Sequence, residues 1–289
     1  MIQYKNRVKV IGDKLYKKRK RNIEEVYSFL DSRNYEYYVR PLEITNDEEI
    51  YPYINEYDTT SNERAKDLLY RVSILHNKTT EFKDKNIDSI KERYETTVNI
   101  LDETYNYYFN LQDELEEHEF LFPEELLLLE NISKVYYMIN TSRYFIEEYY
   151  KKTEKQNKER IVRIHGNLSL DHIIESDEKY LISWNNSRID LPVIDLVKFY
   201  KKEYENIEFS FLYHLYNSKY PLTKEEVYLF FSLINLPERI EFTDNHLDNT
   251  IRVRHFVNYI DKTIEFTLQE HKENKESSKQ EFEKQDDGI

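Results

Sequence analysis

The chain contains no cysteine in 289 residues and only three glycines, Gly12, Gly166 and Gly288. Without thiols there is no disulfide, no thiolate zinc site and no cysteine nucleophile, and a reducing compartment suits such a chain. Three isolated glycines build neither a Walker A phosphate cradle nor a dinucleotide-binding turn, each of which needs several glycines within one loop. No apolar run approaches the roughly 20 residues needed to cross a bilayer. The start, Met-Ile-Gln-Tyr-Lys, has no apolar signal core behind its charges. An excess of positive charge is missing too: the formal charge of −14 is spread along the chain and opposes contact with nucleic acid or anionic lipid. The expectation is a soluble, cytoplasmic protein whose partners are neither nucleic acid nor membrane.

Against these absences stand 39% hydrophobic residues, with 27 Tyr and 15 Phe, enough to fill a real core. Heavy use of Lys, Asn, Tyr, Ile and Glu also suits an AT-rich genome, so the tyrosines alone do not mark a stacking surface. Near the start, the runs Arg7-Val8-Lys9-Val10-Ile11 and Lys14-Leu15-Tyr16-Lys17 flank Gly12-Asp13, a hairpin signal. Apolar residues at Ile23, Val26, Tyr27, Phe29 and Leu30 predict a helix over 22–32, while 37–39 and 50–54 read as extended. From Asn62 the period becomes helical, through Leu68, Leu69, Val72, Leu75 and His76. It continues with Ile90, Tyr94, Val98 and Leu101 within 85–117, and with a segment opened by Pro123 and running toward Tyr150. Segments 161–164 and 180–184 predict short strands around a loop, 191–204 a helix with Pro192 near its start, and the remainder to about residue 270 more helix. From Lys272 the chain is mainly Lys, Glu, Gln, Ser and Asp. It reads as a disordered tail because it buries too little to offset its ordering entropy, a solvated helix extension being the alternative.

The order is a strand-rich segment, a helical body, a His-Gly loop between strands and an Asp at a helix start. The run Ile164-His165-Gly166-Asn167-Leu168-Ser169-Leu170-Asp171-His172-Ile173-Ile174 resembles the catalytic loop of the aminoglycoside phosphotransferase and choline kinase family, hydrophobic-His-Gly-Asp, four residues, Asn, two hydrophobics. Tyr180-Leu181-Ile182-Ser183-Trp184-Asn185 resembles that family's metal-binding strand, apolar-Ile-Asp-Trp-Glu. Leu191-Pro192-Val193-Ile194-Asp195-Leu196-Val197 resembles its Pro-x-x-Asp-Leu-Ala helix start, where the Asp braces the loop. Leu75-His76-Asn77-Lys78-Thr79 is similar to a Leu-His-x-x-Thr at the end of the first helix of the large lobe. The resemblance covers roughly residues 5–260, and the short, Gly-poor first segment is nearest in flavour to the spore-coat-associated branch. It implies an α+β, protein-kinase-like two-lobed fold: a small strand-rich N-lobe over 1–57, a large, mainly helical C-lobe over 58–271, and the tail 272–289. It also implies that Lys17 stands where the phosphate-binding lysine does, with Glu24 or Glu25 as its ion-pair partner, and that His165, Gly166 and Asp195 are scaffold.

Set against that pattern, the residues that would do the chemistry differ. Phosphoryl transfer needs a carboxylate to orient or deprotonate the attacking hydroxyl and oxygen anions to hold magnesium on the phosphates. The base position is Asn167, an amide that exchanges hydrogen bonds but takes no proton near neutral pH. His172 replaces the second metal ligand with a softer donor than magnesium prefers, Ser183 replaces the principal metal carboxylate, and Asn185 the acid two positions on. Asp171 is a candidate substitute ligand, and Asp190 a more remote one that also suits capping the helix after it. His165, Asp171 and His172 as a metal cluster, and His76 as a ligand, compete with plain packing roles.

These substitutions point to a degenerate phosphotransferase, a pseudokinase acting as a binding or scaffolding protein for a protein or small-molecule partner. No cofactor is expected, with ATP and magnesium as ligands if activity or nucleotide binding is retained. The alternatives are an atypical ATP-dependent small-molecule kinase and a spore-coat-type structural protein.

Overall fold

The computed structural model describes residues 2–5, 8–19, 23–154 and 156–286, and the side chains of 8–19, 23–154 and 156–272. In chain order the elements begin with β1 (Ile2–Lys5), β2 (Val8–Ile11), β3 (Lys14–Lys18), α1 (Glu24–Ser32), β4 (Glu43–Ile44) and β5 (Glu48–Pro52). Next come α2 (Ser61–Thr79), β6 (Glu81–Asp84), α3 (Ile87–Glu116), α4 (Pro123–Thr153), β7 (Lys158–Ile164), β8 (Ile173–Glu175), β9 (Lys179–Leu181) and β10 (Arg188–Asp190). The chain finishes with α5 (Val193–Glu203), α6 (Phe209–Lys219), α7 (Lys224–Ile234) and α8 (His246–Asp286). The architecture is α+β, strand-rich at the start and mainly helical thereafter. Contacts divide it into two compact units, Met1–Asp84 with Lys158–Leu222, and Lys85–Asn157 with Thr223–Ile289. This grouping differs from a linear cut at residue 57, because α2 packs on α6 and on strands β7 and β8, which come from much later in the chain.

The first unit contains an antiparallel sheet in the order β1-β2-β3-β5-β4. The expected hairpin is the β2–β3 pair, Val8 opposite Lys17 through Ile11 opposite Lys14, turned at Gly12 with φ 61°. A two-residue hairpin turn of this hand needs positive φ, which glycine adopts without a Cβ clash. Segment 37–39 is not a strand. Tyr38 makes one bridge to Leu181, and the buried Tyr38 ring stacks on Tyr27 of α1 at 4.8 Å, so this apolar run is held by its side chains rather than by a ladder. α2 starts at a capping box, with the Thr60 hydroxyl accepting from the Glu63 N–H and Glu63 accepting in return. Its buried face, Leu68, Leu69, Val72, Leu75 and His76, keeps the helical spacing seen in the sequence. The loop that follows β7 and the β8–β9 hairpin lie against this helix. The expected strand 180–184 stops early: β9 ends at Leu181 and Trp184 opens a one-turn 3-10 helix, because Ser183 takes a left-handed backbone that no strand continues through.

In the second unit α4 is central, packed on α3, α7 and α8. Pro123 at its first position has no N–H to leave unpaired, and Glu125 accepts the Phe122 N–H at 2.8 Å. α8 takes in all but the last three residues of the segment read as a tail, whose side chains beyond Lys272 lie outside the described residues. No helix among the described residues is long and apolar enough to cross a membrane.

Tyrosine does polar work in this core. Tyr108 is fully buried, its hydroxyl donating to the Glu238 carbonyl at 2.5 Å and accepting the Ile240 N–H at 3.3 Å. Tyr108→Phe leaves both backbone groups short of a partner, so it should lower the unfolding free energy by about 1–3 kcal/mol in urea titration.

Candidate functional site

Every residue of the site belongs to the first unit, and α5 supplies its base. Asp195, in the first turn of α5, is fully buried, yet its carboxylate is satisfied. It accepts the His165 N–H on Oδ2 and the Gly166 N–H on Oδ1, both at 2.7 Å. His76, buried near the end of α2, reaches Oδ2 at 3.3 Å through Nε2, and its Nδ1 lies 2.7 Å from the Tyr216 hydroxyl of α6. A carboxylate only accepts, so Nε2 carries the hydrogen and Nδ1 receives that of Tyr216. Burial pushes the Asp195 carboxyl up, but His76, His165 and the Gly166 N–H outweigh it and hold the group below its ordinary value. The scaffold role expected of Asp195 is thus one carboxylate joining two helices to the loop.

Further groups that the sequence did not point to hold the same loop. Glu203, about two turns beyond Asp195 on α5, accepts from the Ser169 hydroxyl at 3.0 Å and the Leu170 N–H at 3.1 Å. Lys198 donates to the Gly166 carbonyl at 2.8 Å. From α2, Arg64 donates to the Leu170 carbonyl at 2.9 Å and the Ile173 carbonyl at 2.7 Å, with Glu56 2.6 Å from its other arm. Gly166 itself has φ 81°, and a Cβ there would stand 2.2 Å from the Asn186 carbonyl oxygen. No side chain fits.

His165 is buried beside Trp184, with ring centroids 4.9 Å apart, and its Nε2 donates to the Ile182 carbonyl at 2.7 Å. Nδ1 has no hydrogen-bond partner. Burial pushes the imidazole down to about 4. It is a neutral spacer that fixes the distance between the loop and the β9 end.

The positions where chemistry is expected surround this frame. Asn167 is half-buried, and its carbonyl accepts His172 Nδ1–H at 2.5 Å, leaving Nε2 of His172 as a bare acceptor. Burial, helped by the charges of Lys202 and Lys17, pushes the His172 imidazole down. Ser183 sits at φ 68°, ψ 45°, a conformation costing a non-glycine residue of order 1–3 kcal/mol unless its neighbours enforce it. They do: the Ile182 N–H donates to the His172 carbonyl at 3.0 Å, and the Trp184 indole N–H to the Leu181 carbonyl at 2.9 Å. Asp171 is exposed, its N–H capped by the Ser169 hydroxyl. Asp190 receives Arg188 at 2.6 Å and the Leu191 N–H at 2.8 Å, the local capping role. Asn185 stands half-buried in the 3-10 turn after Ser183.

Lys17 on β3 lies directly across from Glu49 of β5, and its charge is felt at His172. Glu49 is buried and accepts from the Tyr51 hydroxyl at 2.8 Å, and Glu24 lies 3.6 Å from Arg19. A divalent cation does not fit the donors at the four positions: a serine hydroxyl, two amides and an imidazole nitrogen offer no anionic oxygen. Among the described residues, no group of three or more His, Asp or Glu is arranged to hold a metal.

No protein-family profile matches the chain, and no curated protein matches it in sequence. Solved structures do. An aminoglycoside phosphotransferase from Alicyclobacillus acidocaldarius superposes with a TM-score of 0.67 at 10% identity, covering 94% of this chain and 92% of that one. A spectinomycin phosphotransferase in its AMP-bound complex (TM-score 0.49, 13% identity, 87% of each chain) and a choline kinase from Streptococcus pneumoniae (0.41, 14%, 89% of each) align less closely. The first establishes that this chain has the aminoglycoside phosphotransferase fold, with its small strand-rich start and mainly helical remainder. The other two carry no argument beyond it.

Two outcomes follow. Gly166→Ala should destabilise the protein by several kcal/mol, because the clash is with backbone and the φ is left-handed, and a thermal melt measures it. For His165, the folded value of about 4 lies below the ordinary 6.5, so the unfolded chain binds this proton more readily. Its contribution is complete above pH 6.5 and is lost as pH falls from 6.5 toward 4, by about 3 kcal/mol at most. Urea midpoints at pH 7.5 and pH 5 should differ more for the wild type than for His165→Gln.

Proposed function

We propose that this protein is a degenerate phosphotransferase, its kinase-like fold kept as a binding or scaffolding module with little or no phosphoryl transfer. The observation that carries the reading is a contrast within one loop. The carboxylates that brace it, Asp195 and Glu203, are buried and engaged, while Asn167, His172, Ser183 and Asn185 are not carboxylates and the exposed Asp171 is the one acid within the loop.

Asn167 can hold an acceptor hydroxyl in place through its amide, but it takes no proton from it. Loss of general-base assistance alone lowers a rate by about 10²–10⁴. Ser183 offers one hydroxyl where charge neutralisation of a phosphate needs an anion that binds metal. His172 adds a neutral imidazole nitrogen, kept from charging by burial and by Lys17 and Lys202. The charges of Lys17 and Lys202 near His172 favour a phosphate-bearing ligand.

Calorimetry with ATP, with and without magnesium, is the test. The expected outcome is no magnesium enhancement of binding and no nucleotide turnover. The triple variant Asn167→Asp, His172→Asn, Ser183→Asp should gain a magnesium-dependent binding signal, since the frame for those side chains is in place. Magnesium-dependent ATP consumption by the wild type, abolished by both Asn167→Ala and Ser183→Ala, would overturn the proposal.

A further inference from the structure

The second unit carries an apolar face that its own fold leaves uncovered. At its centre the loop between α3 and α4 exposes Phe120 at 83%, with Leu121 and Phe122 beside it, and Leu126 follows on the first turn of α4. Leu247 at 70% exposure and Ile251, one helical turn apart, continue the face on the start of α8. The two parts are joined: the Phe122 ring stacks on His246 at 3.8 Å between centroids, and His246 Nδ1 lies 2.8 Å from Glu124 of α4. On α8 the residues that face the bundle are Asn249, Val253 and Phe256, all buried, so Leu247 and Ile251 are on the helix's outward side. Single exposed apolar side chains need no explanation, whereas six together on one end of a helical unit mark a binding surface.

Charge identifies the occupant. Between Arg93 and Lys134 the chain contains no Lys or Arg, and the exposed Glu116, Glu117 and Glu119 stand immediately before Phe120. Asp248 borders Leu247 on α8. The carboxylates lie on the Phe120 side of the face, whereas Arg252 and Arg254 are exposed beside Ile251 on the α8 side; the acidic side repels an anionic membrane surface and a nucleic acid. The face complements a segment that is apolar on one side and cationic on the other. We infer that this face docks a basic amphipathic helix of a partner protein, apolar side chains seated on Phe120 and Leu247 and lysines or arginines over the glutamates. The inference names a partner class for the binding-module reading but uses none of the loop residues on which that reading rests, so each fails separately.

The full-length chain should be titrated, by fluorescence anisotropy, into a synthetic helical peptide of about 18 residues with leucines on one face and lysines on the other. A scrambled peptide of the same composition, and a version with glutamate for lysine, serve as controls. The expected result is saturable binding of the Lys/Leu peptide, weakened about tenfold or more by Phe120→Ser with Leu247→Ser, and weakened separately by Glu116→Lys with Glu119→Lys. All four positions are exposed, so the variants should melt with the wild type, and the charge pair tests the face even if the apolar pair unfolds. Equal binding of the scrambled peptide, or affinity unchanged in the charge-reversed variant, overturns the inference. So does concentration-dependent dimerisation in sedimentation that Phe120→Ser with Leu247→Ser abolishes, because the face would then belong to a second copy.

Discussion

The loop geometry of the first unit depends on one buried carboxylate. Asp195 accepts two consecutive backbone N–H groups, from His165 and Gly166, and a ring N–H from His76. An ionised carboxylate with no exposure is stable only when such donors replace water, and breaking such a set typically costs several kcal/mol. Because the two N–H groups are adjacent in the chain, meeting both fixes the peptide orientation at the point where the loop leaves β7. Gly166 must then take a positive φ, and the Asn186 carbonyl fills the space a side chain would need. The rest of the loop is secured downstream by Glu203 and Arg64, at Ser169, Leu170 and Ile173.

This frame is more than is needed to keep a turn folded. It holds His172 against the Asn167 carbonyl and keeps Ser183 in a left-handed conformation that serine does not favour. Backbone strain persists only where the surroundings over-determine it. Here those surroundings are the Ile182, Trp184 and His165 contacts, all intact. The loop conformation is thus fixed from several sides, while Asn167, His172 and Ser183 carry no carboxylate.

Charge is apportioned in a related way between the two units. The loop region of the first unit places Lys17 and Lys202 where their charge reaches His172, although the chain as a whole is strongly acidic. The acidic excess gathers elsewhere, most densely along the stretch without Lys or Arg that ends α3 and opens α4. The first unit has 25 Lys and Arg against 25 Asp and Glu, so the whole net charge of −14 lies in the second.

The sequence alone determined the order of strands, helices and loop, and the identities at the loop positions. Helical faces such as Leu68, Leu69, Val72 and Leu75 and the hairpin at Gly12 follow from local periodicity and turn chemistry, which do not depend on distant residues. The bracing by His165, Gly166 and Asp195 and the lack of carboxylates at Asn167, His172, Ser183 and Asn185 were legible because motif spacing is a property of the chain. What only the tertiary structure decided is who touches whom across the fold. Glu203 and Arg64 belong to the loop through contacts over tens of residues, Lys17 lies across the sheet from Glu49, and 37–39 is held by ring packing instead of a ladder. Cross-strand register and the burial of a carboxylate are set by packing, and packing has no one-dimensional signature. The same is true of the His-Gly loop itself: its residues were readable, but the reason they hold their shape is a carboxylate thirty residues away in the chain.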